Sequence, residues 1–282
     1  MTLTRRWVLS RGAATAIAAA AGSTVLADRA FALPAVDMEL VLLAAELDPP
    51  KPDEGLTPNA YASVLEVEKA LSAKGFLSSG LVDGHYGTST VSAYAAFQRS
   101  LGYSGIDANG IPGPTSLTTL GTNRFTVSRS VSTGSTTDSY GGERVNTRTK
   151  NMLAKADSLL SFSLTLSQGS YTSTNPSSAG THDGGGVVDI SVTSMTTTQR
   201  WQTVKALRTV GFAAWLRNPS QGDWPYHIHA AAVLDPDMAP TARDQIYDYY
   251  IGKNGLANHA ADDTPSAYRM PFTWWEQYKR TL

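Results

Sequence analysis

Two short segments concentrate the side chains able to hold a metal or move a proton. The first runs Ser178-Ala179-Gly180-Thr181-His182-Asp183-Gly184-Gly185-Gly186-Val187-Val188-Asp189-Ile190, and the second Trp224-Pro225-Tyr226-His227-Ile228-His229-Ala230. In the first, a polar loop delivers His182, glycines let the backbone pass close to it, and a strand presents Asp189. In the second, His227 and His229 stand two apart on a strand, so both project from the same face. Two imidazole nitrogens and one carboxylate oxygen are the donors of a catalytic zinc site with an open position. Imidazole with carboxylate suits Zn2+ better than calcium or magnesium. The chain has five histidines and no cysteine, so any metal is held by His and carboxylate. Cysteine nucleophiles, disulfides and iron–sulfur clusters are excluded. The plainer reading of the same residues makes Asp189 a hydrogen-bonded strand carboxylate and His182 a loop residue, because an HxH step arises easily on a half-polar strand.

The elements that must position these residues form an α+β pattern between residues 143 and 282. Met152, Leu153, Ala156, Leu159 and Leu160 make one helical face, and Phe162, Leu164 and Leu166 alternate as a strand. Gly169–Gly180 is a polar loop, followed by a strand at Val187–Val192. Trp201, Val204, Leu207 and Val210 define a helix ended by Gly211, and Phe212–Leu216 and Tyr226–Val233 read as further strands. Helices grouped on an antiparallel sheet are the natural assembly. The tail, with Trp274, Trp275 and Tyr278, is expected to pack back onto this domain.

Upstream, residues 56–122 read as a small helical region. Val64, Leu65, Leu71 and Phe76 follow a helical period, a turn stands at Asp83–Gly87, and Thr88 or Ser89 is placed to cap a helix over Thr90–Leu101. A second turn at Asp107–Gly113 precedes a last helix around Thr115–Leu120, with Phe97 and Leu101 expected in the core and Gln98 in a structural role. Residues 33–55, with Pro34, Pro49, Pro50 and Pro52, read as a spacer with a helical turn or two in Val36–Leu47. The Ser/Thr/Gly-rich stretch within 123–142 reads as a linker.

Residues 1–32 carry Arg5-Arg6, an Ala-rich apolar run and Ala30-Phe31-Ala32, the layout of a cleaved export signal. The paired arginines resemble the twin-arginine signal of bacteria, which exports folded proteins. The apolar run is shorter than the roughly 20 residues that span a bilayer, so no membrane anchor is expected once it is removed. Twenty-three basic against twenty-four acidic side chains give the chain a formal charge of −1, with no basic footprint for nucleic acid.

Two family resemblances follow from these residues. Asp83-Gly84-x-Tyr86-Gly87-x-x-Thr90-x-x-Ala93-x-x-x-Phe97-Gln98, followed by Gly110-x-x-Gly113-Pro114, resembles the three-helix peptidoglycan-binding domain of bacterial wall enzymes. That resemblance implies peptidoglycan as the partner. His182-x6-Asp189 followed by the HxH pair resembles the zinc D-Ala-D-Ala carboxypeptidases and wall endopeptidases of the peptidase M15 family, with His182, Gly185 and Asp189 on the family's Ser-x-His-x-x-Gly-x-Ala-x-Asp pattern. Gly180 and Val187 depart from it, standing where the family has Ser and Ala. The resemblance implies zinc on His182, Asp189 and one His of the pair, with His229 favoured and His227 left beside the reacting groups. It also implies a general base just before the last His ligand, where Trp224, Pro225 and Tyr226 stand. Asp223 is the nearest acid and the expected base; Asp183 and His227 are its competitors.

The combined expectation is a small three-helix wall-binding domain followed by an α+β zinc peptidase domain, secreted and associated with the cell wall. It would hydrolyse peptidoglycan stem peptides as a carboxypeptidase or endopeptidase. Two rival readings are a wall-binding protein whose zinc fold has lost turnover and an exported binding domain without metal.

Overall fold

In chain order the computed structural model, which describes residues 32–50 and 57–282, begins with strand β1 (Ala35–Asp37) and helix α1 (Met38–Leu47). The export signal expected at 1–32 lies, apart from Ala32, outside the described residues. Residues 33–50 are not the spacer that their prolines suggested. The Asp37 side chain caps α1 by accepting from the Glu39 and Leu40 N–H groups, and nine of the ten helix residues are buried. A helix apolar nearly all round belongs inside a core, and α1 lies there.

Helices α2 (Tyr61–Ala73), α3 (Thr88–Ser100) and α4 (Pro114–Leu120) follow, as expected for the small helical region. Tyr86, Tyr94 and Phe97 fill its centre. Gln98 ties the second turn by donating to the Ile111 carbonyl and accepting from Gly110 N–H. Leu101, expected in the core, is 40% exposed because α3 stops at Ser100. Gly87, not Thr88 or Ser89, occupies the cap position of α3.

The Glu68 carboxylate in α2 accepts from the Asp83 and Gly84 N–H groups and from the Thr90 hydroxyl. Burial pushes this carboxyl up to about 7. Its folded pKa lies above the unfolded value, so the native state binds the extra proton, and stability falls as pH rises from about 4.5 through 7. Glu68→Gln keeps the shape, accepts both backbone N–H groups through its oxygen and donates to Thr90. The expected result is a flatter stability-versus-pH curve in urea titrations at about pH 5 and pH 8; an unchanged slope would assign the effect to another group.

The segment read as a linker is also structured. Strand β2 (Thr126–Ser128) pairs in parallel with β1, Val131 is buried, and β3 (Asp138–Tyr140) pairs with β4 (Glu143–Val145). Serine and threonine tolerate strand pairing, so composition alone did not separate a linker from short edge strands.

Helix α5 (Thr147–Ser158) leads to β5 (Leu166–Gln168), which starts later than the alternation at 162 suggested. Then come β6 (Val187–Ser191), α6 (Thr197–Thr209), β7 (Phe212–Arg217), β8 (His227–Ala232), α7 (Pro240–Tyr250) and α8 (Trp275–Arg280). Strands β5-β6-β8-β7 form one antiparallel sheet, as the α+β reading anticipated. One face, with Val188, Ile190, Ile228, Ala230, Ala214 and Leu216, packs on α5 and α6. The opposite face contributes Val187, Ala213, Trp215 and Ala231 to a single core shared with α1, α2, α3, α4 and α7. The two regions expected to be separate are therefore joined, and residues 33–282 make one compact unit.

Candidate metal centre

Sheet register does most of the assembly. Asp189 on β6 lies opposite His229 on β8, and His229 lies opposite Trp215 on β7. One step along, Ser191 and Arg217 flank His227. Directly opposed residues hold their β-carbons about 4.5–5.5 Å apart, so this face collects a carboxylate, two imidazoles and a guanidinium in adjacent rows.

His182 arrives from the loop before β6, which is fixed by backbone hydrogen bonds. Thr172 N–H donates to the His182 carbonyl, Tyr171 N–H to Gly184, and Gly185 N–H to the Asp237 carbonyl at 2.8 Å. The glycines matter here for space. A β-carbon on Gly184 would lie 2.2 Å from the Asp237 oxygen, closer than atoms approach.

The donor atoms of His182, Asp189 and His229 all lie within 4.8 Å of one another. His182 Nε2 is 3.4 Å from Asp189 Oδ1, and His229 Nδ1 is 2.9 Å from the same oxygen. Four ligands at zinc–ligand distances of about 2.1 Å sit about 3.4 Å apart in a tetrahedron, close to this spacing. His182 Nδ1 is 2.8 Å from the Gly169 carbonyl, which only accepts, so Nδ1 carries hydrogen and Nε2 is the ring nitrogen turned toward Asp189. Burial lowers the pKa of His229, favouring the neutral imidazole that a metal requires. Burial alone would raise the Asp189 carboxyl, but the hydrogen bonds to His182 and His229 hold it far below the usual carboxylate range. An ionised oxygen and two imidazole nitrogens thus converge on one point, and the donor set fits zinc.

His227 stands beside this group. Its Nδ1 is 2.9 Å from the Pro225 carbonyl, and its Nε2 faces Asp189 Oδ1 at 3.9 Å. Trp224 meets the ring edge-on, with centroids 6.2 Å apart. Asp223 lines the same cleft but is exposed, and among the described residues no hydrogen bond joins it to the three histidines. The structure therefore brings together His182, Asp189, His227 and His229, and leaves Asp223 on the cleft wall. The cleft measures about 990 Å³.

Sequence reasoning missed three residues of this site. Gln245 on α7 reaches His229 Nε2 at 2.8 Å. Trp215 stacks on His229 with centroids 6.4 Å apart. Arg217 is buried, lies over the Trp215 ring, donates to the Asn254 carbonyl, and is pushed down to about 10 by burial. Strand alternation over 213, 215 and 217 was the available signal for the last two. For Gln245 it was Ala242, Ile246 and Tyr249 spaced as one helix face behind Pro240.

Among the described residues no helix is long and apolar enough to cross a membrane. No curated protein and no solved structure matches the chain. Residues 61–120, which span α2 to α4, match the family model described as "Putative peptidoglycan binding domain". This chain carries a peptidoglycan-binding domain at residues 61–120, which supports association with the cell wall.

Proposed function

We propose that this chain is an exported bacterial zinc metallopeptidase that hydrolyses peptide bonds in peptidoglycan stem peptides, as a carboxypeptidase or an endopeptidase. The observation that carries the reading is the convergence of His182 Nε2, Asp189 Oδ1 and His229 Nδ1 in a cleft, in the same compact unit as the peptidoglycan-binding domain. The M15-like spacing of His182, Gly185 and Asp189 supports the same chemistry.

His182, Asp189 and His229 would hold the metal. Zinc bound there supplies Lewis-acid polarisation of the scissile carbonyl and acidifies a water molecule. The protein must accept a proton from that water and return it to the leaving amine. His227 is the residue best placed to do so: Pro225 holds its Nδ1–H, leaving the Nε2 lone pair turned to the site. Asp189 is committed as a ligand, and Asp223 stands exposed on the wall.

Zinc content and peptide release from purified wall, with and without a chelator, test the proposal. About one zinc per chain and chelator-sensitive release are expected. Zinc without release would favour the rival reading of a wall-binding protein that has lost turnover; absence of zinc would remove the metal reading. Within the active protein, His227→Gln should retain zinc and slow hydrolysis by about 10²–10⁴-fold, the usual worth of a general base. Asp223→Asn should change the rate little. A large loss in Asp223→Asn with His227→Gln unaffected would transfer the base role to Asp223.

A further inference from the structure

His229 lies between two acceptors. Its Nδ1 is 2.9 Å from Asp189 Oδ1, and its Nε2 is 2.8 Å from Gln245 Oε1. A neutral imidazole has one N–H, so it satisfies one acceptor and turns a lone pair toward the other. The orientation of the Gln245 amide is fixed from its far side. Its Nε2 donates to the Gly255 carbonyl at 3.1 Å, and a carbonyl cannot donate in return. Oε1 is therefore the atom presented to His229. The Gly255 segment is itself held, because Trp215 Nε1 donates to the Lys253 carbonyl and the Trp215 ring packs against Gly255. The tryptophan that stacks on His229 thus also anchors the support of Gln245.

We infer that Gln245 is a positioning residue that sets the tautomer of His229 for zinc. With zinc in the site, His229 donates Nε2–H to Gln245 Oε1 and its Nδ1 lone pair faces the metal. Without zinc, the ionised Asp189 is the stronger acceptor and draws the hydrogen to Nδ1. Metal uptake then moves the hydrogen across the ring: one proton leaves Nδ1 to water in the cleft and one arrives at Nε2, with no net change. Partners that orient a ligating imidazole in this way typically account for 10–100-fold in metal affinity. The inference rests on the zinc reading above.

Its test uses the full chain, with imidazole nitrogens followed by ¹⁵N NMR and zinc affinity measured by competition with a chromophoric chelator. In the parent, His229 should change from the Nδ1–H to the Nε2–H form when zinc is added. Gln245→Leu, which removes the acceptor, should bind zinc about 10–100-fold more weakly. Gln245→Glu restores an acceptor and should bind at least as tightly as the parent. A purely structural role would lower the melting temperature of both variants and leave the tautomer change intact. If Gln245→Leu does not fold, the parent's NMR response and Gln245→Glu decide: no tautomer change, or weakened binding in Gln245→Glu, overturns the inference. Zinc binding by Gln245→Leu at parental affinity overturns it too, while leaving the metal centre standing. A parent that binds no zinc overturns the metal reading itself, a distinguishable failure.

Discussion

Asp189→Asn is expected to lower zinc affinity by more than about 100-fold and to reduce peptide release from purified wall to background. The magnitude follows from the geometry of one oxygen. Asp189 Oδ1 is the atom toward which His182 Nε2 and His229 Nδ1 both point, and it is the only anionic donor in the group of three. Losing an outer hydrogen-bond partner costs about 10–100-fold, so losing the charged ligand itself costs more. Asparagine keeps the size of the side chain and the strand. Val188 and Ile190 remain buried on the opposite face of β6, so the apo fold is expected to survive. Isothermal titration and metal analysis of the folded variant check the claim. Undiminished zinc stoichiometry would remove Asp189 from the ligand set, and with it the shared oxygen on which the centre depends. His229→Ala should behave in the same way.

The sheet made the site legible, and what lay outside the sheet was harder to see. Period-two alternation placed Asp189 on a strand and His227 with His229 on one face, and the register between β6 and β8 brought them together. His182 was readable because glycines surround it, and those glycines do allow the close approach to the Asp237 carbonyl. Asp223 is the acid nearest in sequence to the His strand. Proximity did not become contact, because the Gly222–Pro225 turn leaves it exposed. The segment 33–47 hides its place in the core for a different reason. Its flanking prolines mark chain breaks, but the apolar run between them, MELVLLAAEL, is the signature of a helix buried on all sides. Such a helix has no polar stripe to give its orientation, and its partners lie far away in the sequence. Glu46 reaches the Leu234 N–H and Glu39 pairs with Arg280, separations of 188 and 241 residues.

That buried helix leads to the second large effect: a chain cut to residues 143–282 is expected to show no cooperative melt, whereas residues 33–282 melt in one transition. The sequence had suggested two modules that fold apart. In the structure α1 packs against α7 and α2, and one core runs from Val36 and Leu42 to Leu234, Met238 and Ile246. Fully re-exposing Val233, Leu234, Met238 and Ile246 would cost about 6–12 kcal/mol at about 1.5–3 each. That equals much of the roughly 5–15 kcal/mol that holds a whole domain together. Polar ties are lost as well. Asn109, within the peptidoglycan-binding domain, donates to the Pro236 and Met238 carbonyls at 3.0 and 3.1 Å. Between them, the Asp237 carbonyl accepts the Gly185 N–H of the loop that carries His182. The domain that matches a wall binder is thus tied through residues 236–238 to the loop that carries His182, and removing it should loosen that loop even where secondary structure persists. Circular dichroism melts of the two chains, with zinc titration of each, measure both consequences. A cooperative transition in 143–282 at the temperature of 33–282, with equal zinc affinity, would show that the shared core contributes little and that the wall-binding domain is a tether after all.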